Sequence, residues 1–498
     1  MYSRSIVEYL PDVKSGGQCG YCRGRKGSYQ NGMWGHVLTC QDYQDLIDRG
    51  WRRSGRYCYK PTMDKTCCPQ YTIKCDATQF KLTKSQKKVL KNFRNFIIQG
   101  SDPPKTNLPQ LDSCEDDSDS DDEGVGSDEK DMEVGMDDNQ AKAIDLEKKL
   151  KLDPSKVQLE TKNKSETVES ESMSEPQGPS QAGVKAGLGA DPSKPKAKKK
   201  KELRKERALA KLKAAGKTEA DFYAKKALKN GEKTLEDLTD TSNFPADSAH
   251  KLEIRLVNAQ TSDANFKRTY LDSFAVYRKY QAVIHKESPS KCTLDQFKRF
   301  LCNSSLVPTP INGDENSQNY GAFHQQYIID GRIVAVGVID ILPHCVSSVY
   351  LYYDPDFAFL SPGTLTSLYE IAWTRQLQAK FPALKYYYMG FYIHSCPKMR
   401  YKAKYYPSWL LCPKSYEWVS IKQSLPLLDK SKYAILSSKD EESKNEANDS
   451  IVLFNNQAMG FRVYRGLHQV DEDELQQVQE YADLVGSKLS KKILLYRE

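Results

Sequence analysis

The sequence predicts an α+β protein: two aromatic-rich folded blocks separated by a highly charged linker. Three observations carry this. All five tryptophans fall within residues 1–100 or 246–498. The second block mixes segments with the two-residue alternation of strands and segments with the 3.6-residue period of helices. Between the blocks the composition turns acidic, then basic, with too little apolar surface to bury a core. The expected organisation is a Cys-rich block over 1–100, a disordered acidic-then-basic linker over 101–245, a second domain over 246–411 and its closing segment over 412–498.

In the first block, Cys19–Cys22 (CGYC) stands near the start and the adjacent Cys67–Cys68 near the end. Ser85–Ile98 then places Val89, Leu90, Phe93, Phe96 and Ile97 on one helical face. In the linker, Glu115–Glu123 is an acidic run containing Ser118 and Ser120, which are candidate phosphorylation sites or simply part of a solvated tail. Lys194–Lys201 is a basic run suited to RNA phosphates, to nuclear import or to a solvated face.

In the second block, Asp263–His285 reads as a helix with Phe266, Tyr270, Phe274 and Tyr277 stacked toward a core. Thr293 caps a second helix. Gln325–Ile329 and Arg332–Ile341 are strands joined by Asp330-Gly331, the favoured two-residue hairpin turn. Ser347–Tyr353 is a third strand. Leu365–Gln378 is a helix with Leu365, Leu368, Ala372 and Leu377 inward, and Tyr386–Ile393 is a fourth strand. After Leu411 comes a mixed segment around the acidic loop Lys439–Ser450.

Hydrophobic residues make up 39% of the chain and the formal net charge is +8, which permits nucleic-acid binding without demanding it. No stretch of eighteen apolar residues exists and Met1–Lys14 lacks a signal-peptide core, so a membrane or secreted location is not expected. Thirteen cysteines in a reducing compartment predict thiols and metal ligands, not a disulfide framework.

Thiolate sulfur suits zinc or an iron–sulfur cluster, and four such ligands close a site. Cys19, Cys22, Cys67 and Cys68 are the candidate set, with Cys40, Cys58 and Cys75 as alternatives. Free structural thiols remain open, as does a redox or haem-responsive role for the adjacent pair. His36 is a candidate ligand or a structural histidine. Arg49, Arg52 and Arg53 suit phosphate or carboxylate, which guanidinium binds in bidentate fashion.

The CGYC pair, Asn31–His36 (NGMWGH), Asp42–Gly55 (DYQDLIDRGWRRSG) and Thr66–Ile73 (TCCPQYTI) resemble the amino-terminal domain of the eukaryotic arginyl-tRNA–protein transferases. Phe391–Lys402 (FYIHSCPKMRYK), Tyr405–Leu411 and the Asp330 and Ser347 strands resemble their carboxy-terminal domain. The resemblance implies transfer of arginine from charged tRNA to the α-amine of proteins beginning with Asp, Glu or oxidised Cys, marking them for N-degron degradation. It implies arginyl-tRNA and acidic N-termini as partners, no membrane, a monomer, and residence in cytoplasm and nucleus. A cluster or zinc is compatible with it, with haem as a regulator.

For that chemistry the acceptor amine must lose a proton, and Asp330, Asp340 or Glu370 can assist. Tyr350 or Tyr353 can stabilise the oxyanion. His394 is a candidate shuttle or orients Tyr401. Lys398, Arg400 and Tyr401, with Arg52 and Arg53, are candidates for binding substrate. The strand–strand–strand–helix–strand order matches the core of the GNAT acyltransferase fold, an analogy of fold alone. An acetyl-CoA enzyme needs a glycine-rich pyrophosphate loop that Asp354–Gly363 lacks. A metal-binding adaptor for acidic N-termini or RNA is the remaining rival.

Overall fold

The computed structural model describes residues 4–11, 16–100, 233–259, 263–288, 290–311, 318–439 and 446–497. The acidic run with Ser118 and Ser120 and the basic run at Lys194–Lys201 lie outside these residues, as does the middle of the acidic loop after Lys439.

Strands β1 (Ile6–Leu10), β2 (Gln30–Val37), β3 (Arg52–Ser54), β4 (Tyr57–Pro61) and β5 (Tyr71–Asp76) come from the first block. The second supplies β6 (Leu252–Asn258), β7 (Thr309–Pro310), β8 (Asn319–Ile329), β9 (Arg332–Ile341), β10 (Cys345–Tyr353) and β11 (Tyr386–Tyr392). They are followed by β12 (Ser408–Leu411), β13 (Trp418–Ser420), β14 (Ile451–Phe454), β15 (Gln457–Gly460) and β16 (Leu494–Tyr496). One sheet runs β15-β14-β16-β1-β2-β4-β3, and the other β13-β12-β5-β11-β10-β9-β8-β6 with β7 beside β8.

The two sheets draw strands from the first block, the second domain and its closing segment alike. Strand β5, buried at every position, lies between β12 and β11 in the second block's sheet. From the closing segment, β16 pairs in parallel with β1 of the first sheet. Residues on both sides of 101–232 share one compact unit. The physical reason is edge coverage: β1 and β11 would otherwise leave unpaired backbone along a buried face.

The local expectations hold closely. Asp330 and Gly331 both take positive φ, 51° and 80°, as a hairpin turn twisted to match its strands requires. The first block also holds a helix the sequence did not announce, α1 (Cys40–Ile47), capped by Thr39; the helix expected over Ser85–Ile98 is α2 (Lys84–Gln99), with a Thr83–Gln86 capping box at its start and left-handed Gly100 at its end. On α2, Leu90, Phe93, Phe96 and Ile97 are buried while Val89 is half-buried. Helix α3 (Ala264–Tyr280) buries Phe266 and Tyr277, with Tyr270 and Phe274 packed beside them. Thr293 caps α4 (Leu294–Phe297). Helix α5 (Pro362–Lys380) buries Leu365, Leu368, Ala372 and Leu377, and Phe93 of α2 meets its Tyr369 edge-on at 6.0 Å.

Two departures bear on function. Strand β8 begins six residues before the expected Gln325. Strands β10 and β11 pair in parallel only through Ser347 and Tyr388, where both carry irregularities, and then separate. The gap opens where β11 leads into helix α6 (Pro397–Arg400). No helix among the described residues is long and apolar enough to cross a membrane.

Candidate functional site

Between Gly17 and Ser28 the chain folds into a tight knuckle. The Cys19 amide donates to the Gly24 carbonyl at 2.8 Å and the Arg23 amide to the Cys19 carbonyl at 2.9 Å. The second pair is tied to it by the Cys67 amide, which donates to Gly27 at 2.9 Å. Gly27 is required for this approach, because a Cβ there would stand 2.4 Å from the Cys67 sulfur. The sulfurs of Cys19, Cys22, Cys67 and Cys68 consequently lie within 4.8 Å of one another, with Cys22 and Cys67 3.4 Å apart.

The donor set fits a metal: four thiols converge from two backbone-fixed turns, as closed four-sulfur sites demand. The Gly24 backbone and the neighbouring thiols draw the Cys22 thiol down to about 7. Burial holds Cys68 up at about 11 and lifts Cys67 as well. Among the alternatives, Cys40, Cys58 and Cys75 are buried elsewhere, with their thiols pushed up by burial.

The cysteine centre packs directly on the segment that leaves β11. Cys19 and Cys68 form one apolar cluster with Ile393, flanked by Tyr21, Cys396 and Met399, and the Ser395 hydroxyl bonds the Cys68 sulfur. His394 is bracketed, with the Tyr392 hydroxyl 2.8 Å from Nδ1 and Asp429 3.0 Å from Nε2. Lys398 and Arg400 are exposed beside it, as are Arg23, Arg25 and Lys26 of the knuckle. Tyr401 is half-buried against Tyr405, and burial raises its hydroxyl to about 12.

Arginines from the first block reach this region. Arg53 forms a fully buried, two-pronged pair with Asp340, its Nε 2.9 Å from one carboxylate oxygen. Burial raises the Asp340 carboxyl above its ordinary range, against the pull of Arg53. Arg52 stands over the Phe391 ring at 5.3 Å and donates only to the carbonyls of Ile47 and Trp51. Its Nε and Nη2 are buried and have no acceptor among the described residues. Lys402 donates to the Phe391 carbonyl at 2.7 Å, and burial, then the charge of Arg52, lowers its ammonium to about 7.

The expected site residues thus divide. The four cysteines, Arg52, His394, Lys398, Arg400 and Tyr401 gather around the end of β11. Asp330 instead lies at the β8–β9 turn, bonded to His250 at 2.7 Å and to the Lys251 amide. Tyr350 faces Phe300 and Tyr280 on the α3 side of the sheet. Asp340 and Arg53, read separately as a proton acceptor and a substrate cation, are occupied by each other. Arg49 lies over Tyr416, and His36 bonds Glu8. The sequence reading missed Lys402, although it lies inside the FYIHSCPKMRYK run, and Asp429, which nothing in its local sequence marks.

Comparison with known proteins follows the same two segments. A family model described as "Arginine-tRNA-protein transferase, N terminus" matches residues 17–88, and one described as "Arginine-tRNA-protein transferase, C terminus" matches residues 272–412. An "Arginyl-tRNA--protein transferase 1" of Drosophila melanogaster is 38% identical, with 99% of each chain aligned. A protein of the same name from Arabidopsis thaliana is 35% identical over 84% of this chain and 74% of its own. An "Aspartate/glutamate leucyltransferase" of Pseudomonas putida is 32% identical over 31% of this chain and 57% of its own.

Proposed function

This chain belongs to the arginyl-tRNA–protein transferase family, and we propose from its geometry how it carries out the arginylation that this membership gives it. The acceptors are the α-amines of proteins beginning with Asp, Glu or oxidised Cys, which the added arginine marks for ubiquitin-dependent degradation. One observation carries the reading: the cysteine centre and Arg52 of the first block pack on Phe391–Met399 of the second, so the two matched segments make one site.

The ester of arginyl-tRNA is already activated. The free amine attacks the ester carbonyl, an amide bond forms, and the ribose hydroxyl leaves. No covalent enzyme intermediate is needed. The gap between β10 and β11 receives the acyl group, as in the GNAT-like arrangement the element order suggests. Arg52 and Lys402, two cations meeting at Phe391, take the acidic side chain of the acceptor. His394, held by Tyr392 and Asp429, is placed to relay the amine's proton. The exposed Arg23, Arg25, Lys26, Lys398 and Arg400 contact tRNA phosphates.

Zinc suits the cysteine centre better than a cluster does. A tetrahedral zinc with Zn–S bonds of about 2.3 Å sets its sulfurs about 3.8 Å apart. A cluster interposes irons and sulfides and spreads its thiolates further. Held by Cys19, Cys22, Cys67 and Cys68, the metal would brace the surface on which Ile393–Met399 rests.

The deciding experiment is transfer of radiolabelled arginine from charged tRNA to peptides differing only in an initial Asp or Ala. Incorporation into the Asp peptide alone is expected. Incorporation into neither, with metal-replete protein, would overturn the reading and favour a binding adaptor.

A further inference from the structure

Beyond Ser347 and Tyr388, strand β10 keeps β9 on one side and has no strand on the other among the described residues. What walls that open side is aromatic. Helix α3 runs into a π-helical turn, Gln281–His285, closed by left-handed Lys286; such turns are uncommon and often mark functional sites. Just before the turn, the Tyr280 ring meets two residues of β10, Tyr353 edge-on at 4.9 Å and Tyr350 at 6.5 Å. Tyr350 packs with the core under α3, and Tyr353 with the core under α5. A ring that meets both faces of one strand stands at that strand's edge, and on β10 the free edge is the one β11 has left.

Two more rings extend the wall. His285 meets Tyr280 edge-on at 5.2 Å, and Tyr401, from the turn after α6, interacts with Tyr280. Tyr280, His285, Tyr353 and Tyr401 are each half-buried. Burial, then the charges of Lys398 and Arg23, lower His285 below its ordinary range, so a neutral imidazole lies within reach of both cations. On the α5 side the gap is closed. Glu370 there is answered by the hydroxyls of Tyr387, at 2.6 Å, and Ser348. Gly337 has no room for a methyl, since a Cβ would stand 2.6 Å from Oε1 of Glu370.

Half-buried rings beside a strand gap, rimmed by cations, suit an unpaired nucleobase, which is apolar on its faces and tied to phosphates. Resting on the arginyl-tRNA reading above, we propose that this wall holds the terminal base of the donor tRNA, with Tyr280 and His285 as its stacking residues. The ester then enters the gap beside it. Ser348, where the strands part, is two residues from Tyr350, about 7 Å along β10 and close to the length of one nucleotide. Lys398 and Arg23 take the phosphates that precede the base.

The test compares two donors to one Asp-initiated peptide: arginyl-tRNA with its terminal adenosine, and the same tRNA ending in an abasic ribose, both charged by an acylating ribozyme. The wild type should favour the first in kcat/KM by roughly ten- to a hundredfold, the worth of one stacked base. Tyr280→Leu should bring the ratio close to one through a raised KM for the adenosine-ended donor, with the KM for the peptide unchanged. Tyr280→Phe, which keeps the ring, should keep the ratio. A merely structural role would lower both donors alike, and an unchanged ratio in Tyr280→Leu overturns the proposal. If Tyr280→Leu does not fold, His285→Leu should lower the ratio; an unchanged ratio there also overturns it. A wild type that uses both donors equally sinks this inference alone, whereas one that uses neither sinks the functional reading beneath it.

Discussion

Arg53 and Asp340 stand 287 residues apart in the chain and meet as a fully buried pair, Nε 2.9 Å from the carboxylate, joining β3 of one sheet to β9 of the other. Removing one member strands the other charge. Asp340→Ala or Arg53→Ala should cost about 3–5 kcal/mol in urea unfolding. The double variant should cost less than the sum of the two, because the stranded charge goes with its partner. Strict additivity would show that the pair is not coupled.

The cysteine centre predicts metal content and stability together. Serine at any of positions 19, 22, 67 or 68 should remove bound metal, measured by elemental analysis, and lower the melting temperature to that of chelator-treated wild type. The wild type should carry about one zinc and lack the visible absorption of an iron–sulfur cluster. Serine at Cys40, Cys58 or Cys75 should leave the metal in place.

Lys402 gives the pH dependence a sign. Its ammonium titrates at about 7 in the folded chain against an ordinary 10.5. Recognition of an acidic first residue should therefore weaken as pH rises through 7, seen as a rising KM for the Asp peptide. Lys402→Met should start from the weakened value and flatten the profile. Stability runs the other way: between pH 7 and 10.5 the unfolded chain binds the extra proton, so this group's contribution to stability grows with pH.

Glu370 titrates at about 7 instead of 4.5, so the folded chain holds the extra proton between those values. Its contribution to stability is full below pH 4.5 and is lost as pH rises toward 7. Glu370→Gln should flatten that part of a melting-temperature profile, and a slope retained in the variant would assign it to another group. Gly337→Ala should destabilise by about 1–3 kcal/mol, because the new methyl meets a packed carboxyl.

Much of the local structure was legible in the sequence, since it is written in neighbours. Thr83 with Gln86, Asp330 with Gly331 and the face Leu90–Phe93–Ile97 each state their conformation within a few residues. The cysteine pairs were legible for a similar reason: their ligand chemistry limits what can gather them. Partners across the fold were not. Nothing near Arg53 names Asp340, and the alternation within Tyr71–Asp76 does not say that it inserts between β12 and β11. Lys402 was hidden because a lysine in a basic run reads as solvated, and only tertiary packing buries it beside Arg52.

The pairing of β1 with β16 has a consequence for how the protein is made. A ribosome makes Ile6 long before Leu494, its partner in the sheet, so β1 must wait for the whole stretch between them to be made before it gains its second neighbour. Until then its edge is open to any passing strand, and the nascent protein depends on being shielded. For the same reason, two polypeptides divided between residues 100 and 233 should each be insoluble alone and recover the fold when synthesised together.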